Sequence, residues 1–186
     1  MGRILDFIDQ RAAEFIRNQR MFFVGSAPLA SGGKVNVSPK GLDTFRVVTA
    51  NEVAYLDFNG SGAETIAHVR ENGRITFMFC AFEGPPRILR VYGEAEVLEP
   101  DHDDFASLRD LFESDTPARS IIRARVTRVA ESCGFGVPLY SVEGDRTQLR
   151  EWADRKGAEG LVSYQREKNA VSIDGLPALR SAEEQN

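Results

Sequence analysis

What most limits the fold of this chain is how briefly its apolar runs are joined. Runs of strand length fall at 21–27, 34–38, 45–49, 53–58, 74–82, 87–98 and 120–130, separated mostly by a few turn residues. A parallel crossover needs a dozen residues or more, so strands joined this tightly must pair antiparallel. Five or six strands are expected, with a single helix between strands in mid-chain. The pattern predicts an α+β fold, mainly antiparallel β: a closed or partly closed barrel with helices outside it. A doubly wound parallel sheet would require repeated strand–helix units, which are absent here.

Turn chemistry marks the joints. Ser31-Gly32-Gly33 predicts a hairpin, Pro39 and Gly41 interrupt its second strand, Asn51-Glu52 turns into the next, and Gly84-Pro85-Pro86 breaks another. Ile4, Leu5, Phe7, Ile8, Ala12, Phe15 and Ile16 share one helical face, which predicts a first helix ending near Asn18. Pro100, Asp101, Asp103 and Asp104 read as the cap of a helix over 104–112, not as a metal site. Two charged helices, 147–156 and 160–169, precede the tail SIDGLPALR, and the polar residues 181–186 are expected to fray. Residues 1–186 read as one domain, with an N-terminal helix and a helical extension from about 144.

Composition excludes several functions. With 186 residues, 42% hydrophobic and 27% charged, the chain can bury a real core. A net charge of -5 argues against non-specific nucleic-acid binding. No apolar run approaches the roughly 20 residues of a membrane span. The start, MGRILDFIDQRAAEF, carries acids and lacks the apolar core of a signal peptide, so a cytoplasmic protein is expected. Cys80 and Cys133 read as buried free thiols. His68 and His102 have no metal-ligand spacing.

The segment VAYLDFNGSGAETIAHVREN at 53–72 carries the chemistry. A strand runs into Gly60-Ser61-Gly62 and opens a helix over 65–71. Unpaired amides and the helix dipole there would favour an anion, and a phosphate-bearing ligand is the first inference. The structural alternative is plain capping, because Ser61 and Glu64 have capping-box spacing. The turn is one residue short of the dinucleotide fingerprint GxGxxG, and the next strand ends in Cys80-Ala81-Phe82 without the acid that fingerprint needs.

With the barrel and this turn in place, the chain resembles the pyridoxamine 5'-phosphate oxidase-like family of FMN-binding split barrels, in an uncharacterised bacterial branch. The matching segments are FFVGSAP at 22–28, VNVSPKG at 35–41, YLDFNGSGAET at 55–65, RITFMFCAFEGPPRILRVYG at 74–93, SCGFGVP at 132–138 and EKNAVSIDGLP at 167–177. The resemblance implies a six-stranded FMN-binding split barrel and a homodimer with FMN at the subunit interface. It also implies that Ser38, Pro39 and Lys40 face the flavin phosphate or ribityl chain. Asn59, Gly60, Ser61 and Gly62 match the loop after the flavin-lining strand, and Arg87 and Arg90 match polar contacts near the ring. The vitamin-metabolising enzymes carry Ser-Arg-Lys in this loop, whereas here Gly62-Ala63 follows Ser61. Backbone amides, Ser61 and Thr65 would then have to hold the phosphate. No counterpart of those enzymes' substrate-phosphate residues is evident, which points to an oxidoreductase acting on a different small molecule.

Individual residues sharpen this reading. Arg87 and Arg90 stand three apart on a strand and so point to opposite faces, leaving at most one for the flavin. Asp57 is either an edge position or a polar contact to flavin or ribityl hydroxyls. Trp152 reads as a packing anchor, and the tail at 172–175 as a candidate cover for the partner's cofactor site. No side chain reads as nucleophile or general base, which suits a flavoprotein because the cofactor carries the chemistry. Two alternatives stand beside FMN oxidoreduction. One is a deazaflavin-dependent reductase. The other is a non-catalytic flavin- or haem-binding protein, in which His68 or His102 would be the histidine ligands.

Overall fold

A computed structural model describes residues 2–182. In chain order the elements are β1 (Ile4–Leu5), α1 (Gln10–Arg17), β2 (Phe22–Ser26), β3 (Asn36–Lys40), β4 (Phe45–Thr49) and β5 (Glu52–Phe58). They continue as α2 (Glu64–Asn72), β6 (Arg74–Cys80), β7 (Ile88–Leu98), α3 (Phe105–Arg109), β8 (Ala118–Ser132) and α4 (Gln148–Lys168), and end in a 3-10 turn (Arg180–Ala182). The strands form one antiparallel sheet in the order β3-β2-β6-β7-β8-β5-β4, with β1 added on β8.

The sheet has eight strands among the described residues where six were implied: each of the seven apolar runs forms a strand, and β1 is the eighth. One addition comes from the expected first helix. Ile4 and Leu5 pair with Ala130 and Val129 as β1, and the helix begins only at Gln10. Asp9 sets that start by accepting the Ala12 amide at 2.8 Å. An apolar face suits a short strand and a helix equally, so the pattern did not separate them.

Strand β3 runs through Pro39, which pairs in register with Phe23. The strand lies at the sheet edge, where a missing amide donor leaves no ladder bond broken. Between β7 and β8 the register shifts at Tyr92/Gly93. A Cβ at residue 93 would lie 2.7 Å from the Arg125 carbonyl oxygen, so this close approach requires glycine.

The curled sheet wraps an aromatic core. Phe22 on β2 meets Phe45 on β4 at 4.9 Å between ring centroids, and Tyr55, Phe77 and Phe79 complete the cluster. These rings bring together two flanks of the sheet that share no backbone ladder, which makes the barrel partly closed. Buried Ile66, Ala67 and Val69 of α2 and Ala12 and Ile16 of α1 seal it from outside.

The two charged helices expected near the C-terminus are halves of α4, which breaks at Gly157 (φ 63°, ψ 174°). Trp152 and Tyr164 pack edge to face across that break at 4.9 Å. Helix α3 is shorter than expected, and Asp104 does not cap it through its side chain. Its carboxylate instead accepts from Arg123 Nη1 at 2.8 Å.

The tail packs on its own chain. Ala178 and Leu179 are buried, and Asp174 accepts the Lys34 amide at 2.7 Å. Residues 183–186, within the tail expected to fray, lie outside the described residues. Among the described residues no helix is long and apolar enough to cross a membrane, and no group of three potential ligands could hold a metal ion.

Candidate functional site

The site forms where β3 and β5 end. Asp57 sits near the end of β5, beyond the last β4 pair at Tyr55 and opposite Ser120 of β8, and it is a buried polar position and not an exposed edge. Its side chain is 1% exposed. Lys40 Nζ donates to its Oδ1 at 2.7 Å, and Arg119 Nε donates to its Oδ2 at 2.8 Å. Burial alone would raise the Asp57 pKa, but the Arg119 and Lys40 charges outweigh it and hold the carboxyl below its usual range. Lys40 also lies over the Tyr55 ring, 5.6 Å from its centroid.

The loop after β5 is fixed from two directions. Asn59 donates to the Pro117 carbonyl at 3.2 Å and accepts from Gln165 Nε2 at 2.7 Å. Buried Asn169 donates to the Gly60 carbonyl at 2.9 Å, and Arg119 Nη1 donates to the same oxygen at 3.3 Å. The end of α4 therefore clamps the loop that the sequence marks as the phosphate end.

The start of α2 differs from the expected capping box. The N-cap is Ala63, without a side-chain bond, and Ser61 is exposed. Glu64 folds its carboxylate against Gly62, where an added Cβ would collide with it, and its Oε1 accepts the Ile173 amide at 3.2 Å. A carboxylate of the chain itself thus occupies the positive end of the helix, and Lys40, paired to Asp57 but still partly exposed, lies across the cleft.

These groups enclose a cleft of about 460 Å³. Of the residues singled out in the sequence, Ser38, Pro39, Lys40, Asn59, Gly60, Gly62 and Thr65 line it. Asp57 lies beneath Lys40, and Ser61 stands on the loop outside the lining. Arg87 and Arg90 are elsewhere in the protomer. Arg87 sits over the Phe15 ring at 4.4 Å, pairs with Glu131 at 2.6 Å, and lines a separate cavity of about 1250 Å³. Arg90 Nη1 donates to Ser132 Oγ at 3.2 Å.

Arg119, Gln165 and Asn169 also build the site and are not among the residues that the sequence singles out for it. A signal existed for the first: Arg119 opens the run ARSIIRARV, and a cation inside so apolar a strand needs a buried carboxylate. Of the two thiols expected to be buried, Cys80 is, whereas Cys133 is exposed. His68 is fully buried, with Nδ1 3.0 Å from Ser26 Oγ. His102 is exposed, in the turn before α3, where its Nδ1 accepts the Asp104 amide at 3.1 Å.

The profile described as pyridoxamine 5'-phosphate oxidase matches residues 8–133, most of the chain. The chain belongs to the pyridoxamine 5'-phosphate oxidase family. A relative named as a protein of that family, ustO of Aspergillus flavus, is 42% identical over 181 residues, covering 88% of this chain and 72% of its own length. Among solved structures, HupZ of group A Streptococcus aligns with a TM-score of 0.54 at 20% identity, over 66% of this chain and 91% of its own. A Clostridium acetobutylicum protein related to general stress protein 26 of B. subtilis, of the pyridoxinephosphate oxidase family, aligns with a TM-score of 0.51 at 13% identity, over 75% and 94%. At such identities these structures speak for the fold alone: the family's antiparallel split barrel with outer helices. Within this pyridoxamine 5'-phosphate oxidase family member, the cleft between β3 and the loop after β5 holds most of the residues singled out from sequence.

Proposed function

We propose that this protein is an FMN-binding flavoprotein, an oxidoreductase acting on a small molecule other than pyridoxamine 5'-phosphate. In this reading it works as a homodimer with the cofactor at the subunit interface. The observation that carries the proposal is Lys40, held by buried Asp57 at the wall of a cleft that Ser38, Thr65 and the 59–62 loop complete.

The donor set fits a phosphate ester. Lys40 retains 23% side-chain exposure and so keeps donors for a ligand. Lys40, the Ser38 and Thr65 hydroxyls and the loop amides would hold the phosphate and the adjoining polyol chain, with Arg119 adding positive potential from behind. Bound flavin would supply the hydride chemistry, while the chain's residues bind it and orient it.

Two observations support the dimer. Arg87 and Arg90, which match ring-contacting positions, lie away from this protomer's cleft, as expected if a partner completes the site. Beside the cleft, the edge strand β3 and its approach expose Val35 and Val37, at 73% and 65%.

An absorption spectrum of the purified protein is the first test. Flavin bands in the visible, with FMN released on denaturation, are expected, and light scattering should give twice the 20.6 kDa chain mass. Colourless protein that also fails to bind added FMN would overturn the cofactor assignment. Bound flavin that no nicotinamide donor or tested acceptor can cycle would favour storage over catalysis.

A further inference from the structure

Buried His68 connects to the cleft through a directional chain of hydrogen bonds. Its Nδ1 lies 3.0 Å from Ser26 Oγ. Asn36 Nδ2 donates to Ser26 Oγ at 3.4 Å and to Thr65 Oγ1 at 3.0 Å. Ser38 Oγ donates to Asn36 Oδ1 at 3.1 Å. Ser38 and Thr65 both line the cleft, whereas Ser26 and His68 do not.

The direction of the bonds at Asn36 follows from which groups can donate. An amide nitrogen donates only, so Ser26 and Thr65 accept from Asn36. Having accepted there, Ser26 can direct its own proton to His68 Nδ1. In the tautomer that lets Nδ1 take this proton, the imidazole proton sits on Nε2, a buried atom without a hydrogen-bond partner among the described residues. At the other end, Ser38 has given its proton to Asn36 and presents lone pairs. Thr65 has accepted from Asn36, so its own proton is left for the cleft or for the buried Tyr55 hydroxyl beside it. Burial pulls the His68 pKa down against the opposing charges of Asp174, Glu64 and Glu71 and a Ser26 backbone contact, and so favours the neutral ring at pH 7.

We propose that His68 is a positioning residue for the cleft. By taking the Ser26 proton it fixes the chain so that Thr65 offers a donor and Ser38 an acceptor, a pairing that favours a phosphorylated polyol chain over its phosphate-free counterpart. Phosphate oxygens accept, and so require the Thr65 proton, while a polyol hydroxyl can donate to Ser38. The ligand half of this inference rests on reading the cleft as the cofactor site.

Two measurements test it. The first uses the ligand-free protein: a long-range ¹H–¹⁵N spectrum of histidine-labelled protein at pH 7, with His102→Gln to assign the two rings. The Nε2–H tautomer is expected for His68, and an Nδ1–H tautomer or an imidazolium overturns the chain whatever the flavin does. The second compares FMN and riboflavin affinities in folded variants. His68→Phe keeps an aromatic ring but removes the acceptor, and should weaken FMN about fivefold while changing riboflavin less than about twofold. His68→Asn restores an acceptor near the Nδ1 position and should recover most of the loss. Ser26→Ala should reproduce the selective loss, and it serves where His68→Phe does not fold. Equal losses for the two flavins, or no recovery with His68→Asn, overturn the proposal. If the unaltered protein binds neither flavin, the cofactor reading and with it the ligand half fail, while the tautomer still judges the chain.

Discussion

Arg119 and Asp57 form a buried ion pair, Nε to Oδ2 at 2.8 Å, between residues 62 positions apart and exposed by only 5% and 1%. Asp57 stands in β5 and Arg119 at the start of β8, and the register Asp57↔Ser120 brings them side by side. The pair fixes the floor of the cleft, and Lys40 is held on the carboxylate's other oxygen. Removing the Arg119 charge leaves a buried carboxylate with Lys40 as its remaining cation. Arg119→Met should therefore cost about 3 kcal/mol of stability, since breaking a buried pair strands a charge away from water. Urea unfolding measures this, and a loss under about 1 kcal/mol would show that the pair contributes little to the fold.

Acid stability should report the same cluster. Asp57 has a folded-state pKa below its ordinary 3.8. A depressed carboxylate contributes stability that is fully present above the unfolded-state value and is lost as pH falls through the folded one. Below about pH 4, unfolding free energy should therefore drop with pH more steeply in the unaltered protein than in Asp57→Asn. Parallel curves for the two proteins would contradict the assignment.

Lys40→Ala should weaken FMN about tenfold or more and riboflavin much less, because it removes a charge-assisted contact of about 1.5–3 kcal/mol. The ion pair with Asp57 adds a structural cost, so the melting temperature should fall as well. The fold should persist, because Arg119 still holds the carboxylate. Thr65→Val, which removes a hydroxyl lining the cleft, should give a smaller loss of the same kind, since neutral hydrogen bonds are about half as strong as charged ones. If titration shows FMN and riboflavin equally affected by Lys40→Ala, the phosphate lies elsewhere.

Asn169→Ala should loosen the 59–62 loop without disturbing the barrel. Asn169 is fully buried and donates to Gly60, so truncation leaves that carbonyl with Arg119 alone and costs about 1–2 kcal/mol. Hydrogen exchange should accelerate at residues 60–62 while the β7 and β8 amides stay protected. Acceleration spread evenly over the sheet would mean that the residue supports the core and not the loop.

Sequence alone determined the antiparallel barrel and located most of the cleft. Short turns permit no other strand pairing, and a strand ending in Gly60-Ser61-Gly62 before a helix is a local pattern that survives folding. The split of Ile4–Leu5 from α1 was not legible, because the same apolar positions suit a strand and a helix face. Tertiary structure alone decided the electrostatics of the site. Asp57 and Arg119 meet through strand register and Lys40 joins them by closure of the barrel, and the clamp from Gln165 and Asn169 spans more than 100 residues of chain. It likewise decided that Glu64 covers its own helix start and that His68 is buried, since charge neutralisation and desolvation depend on neighbours that local sequence does not specify.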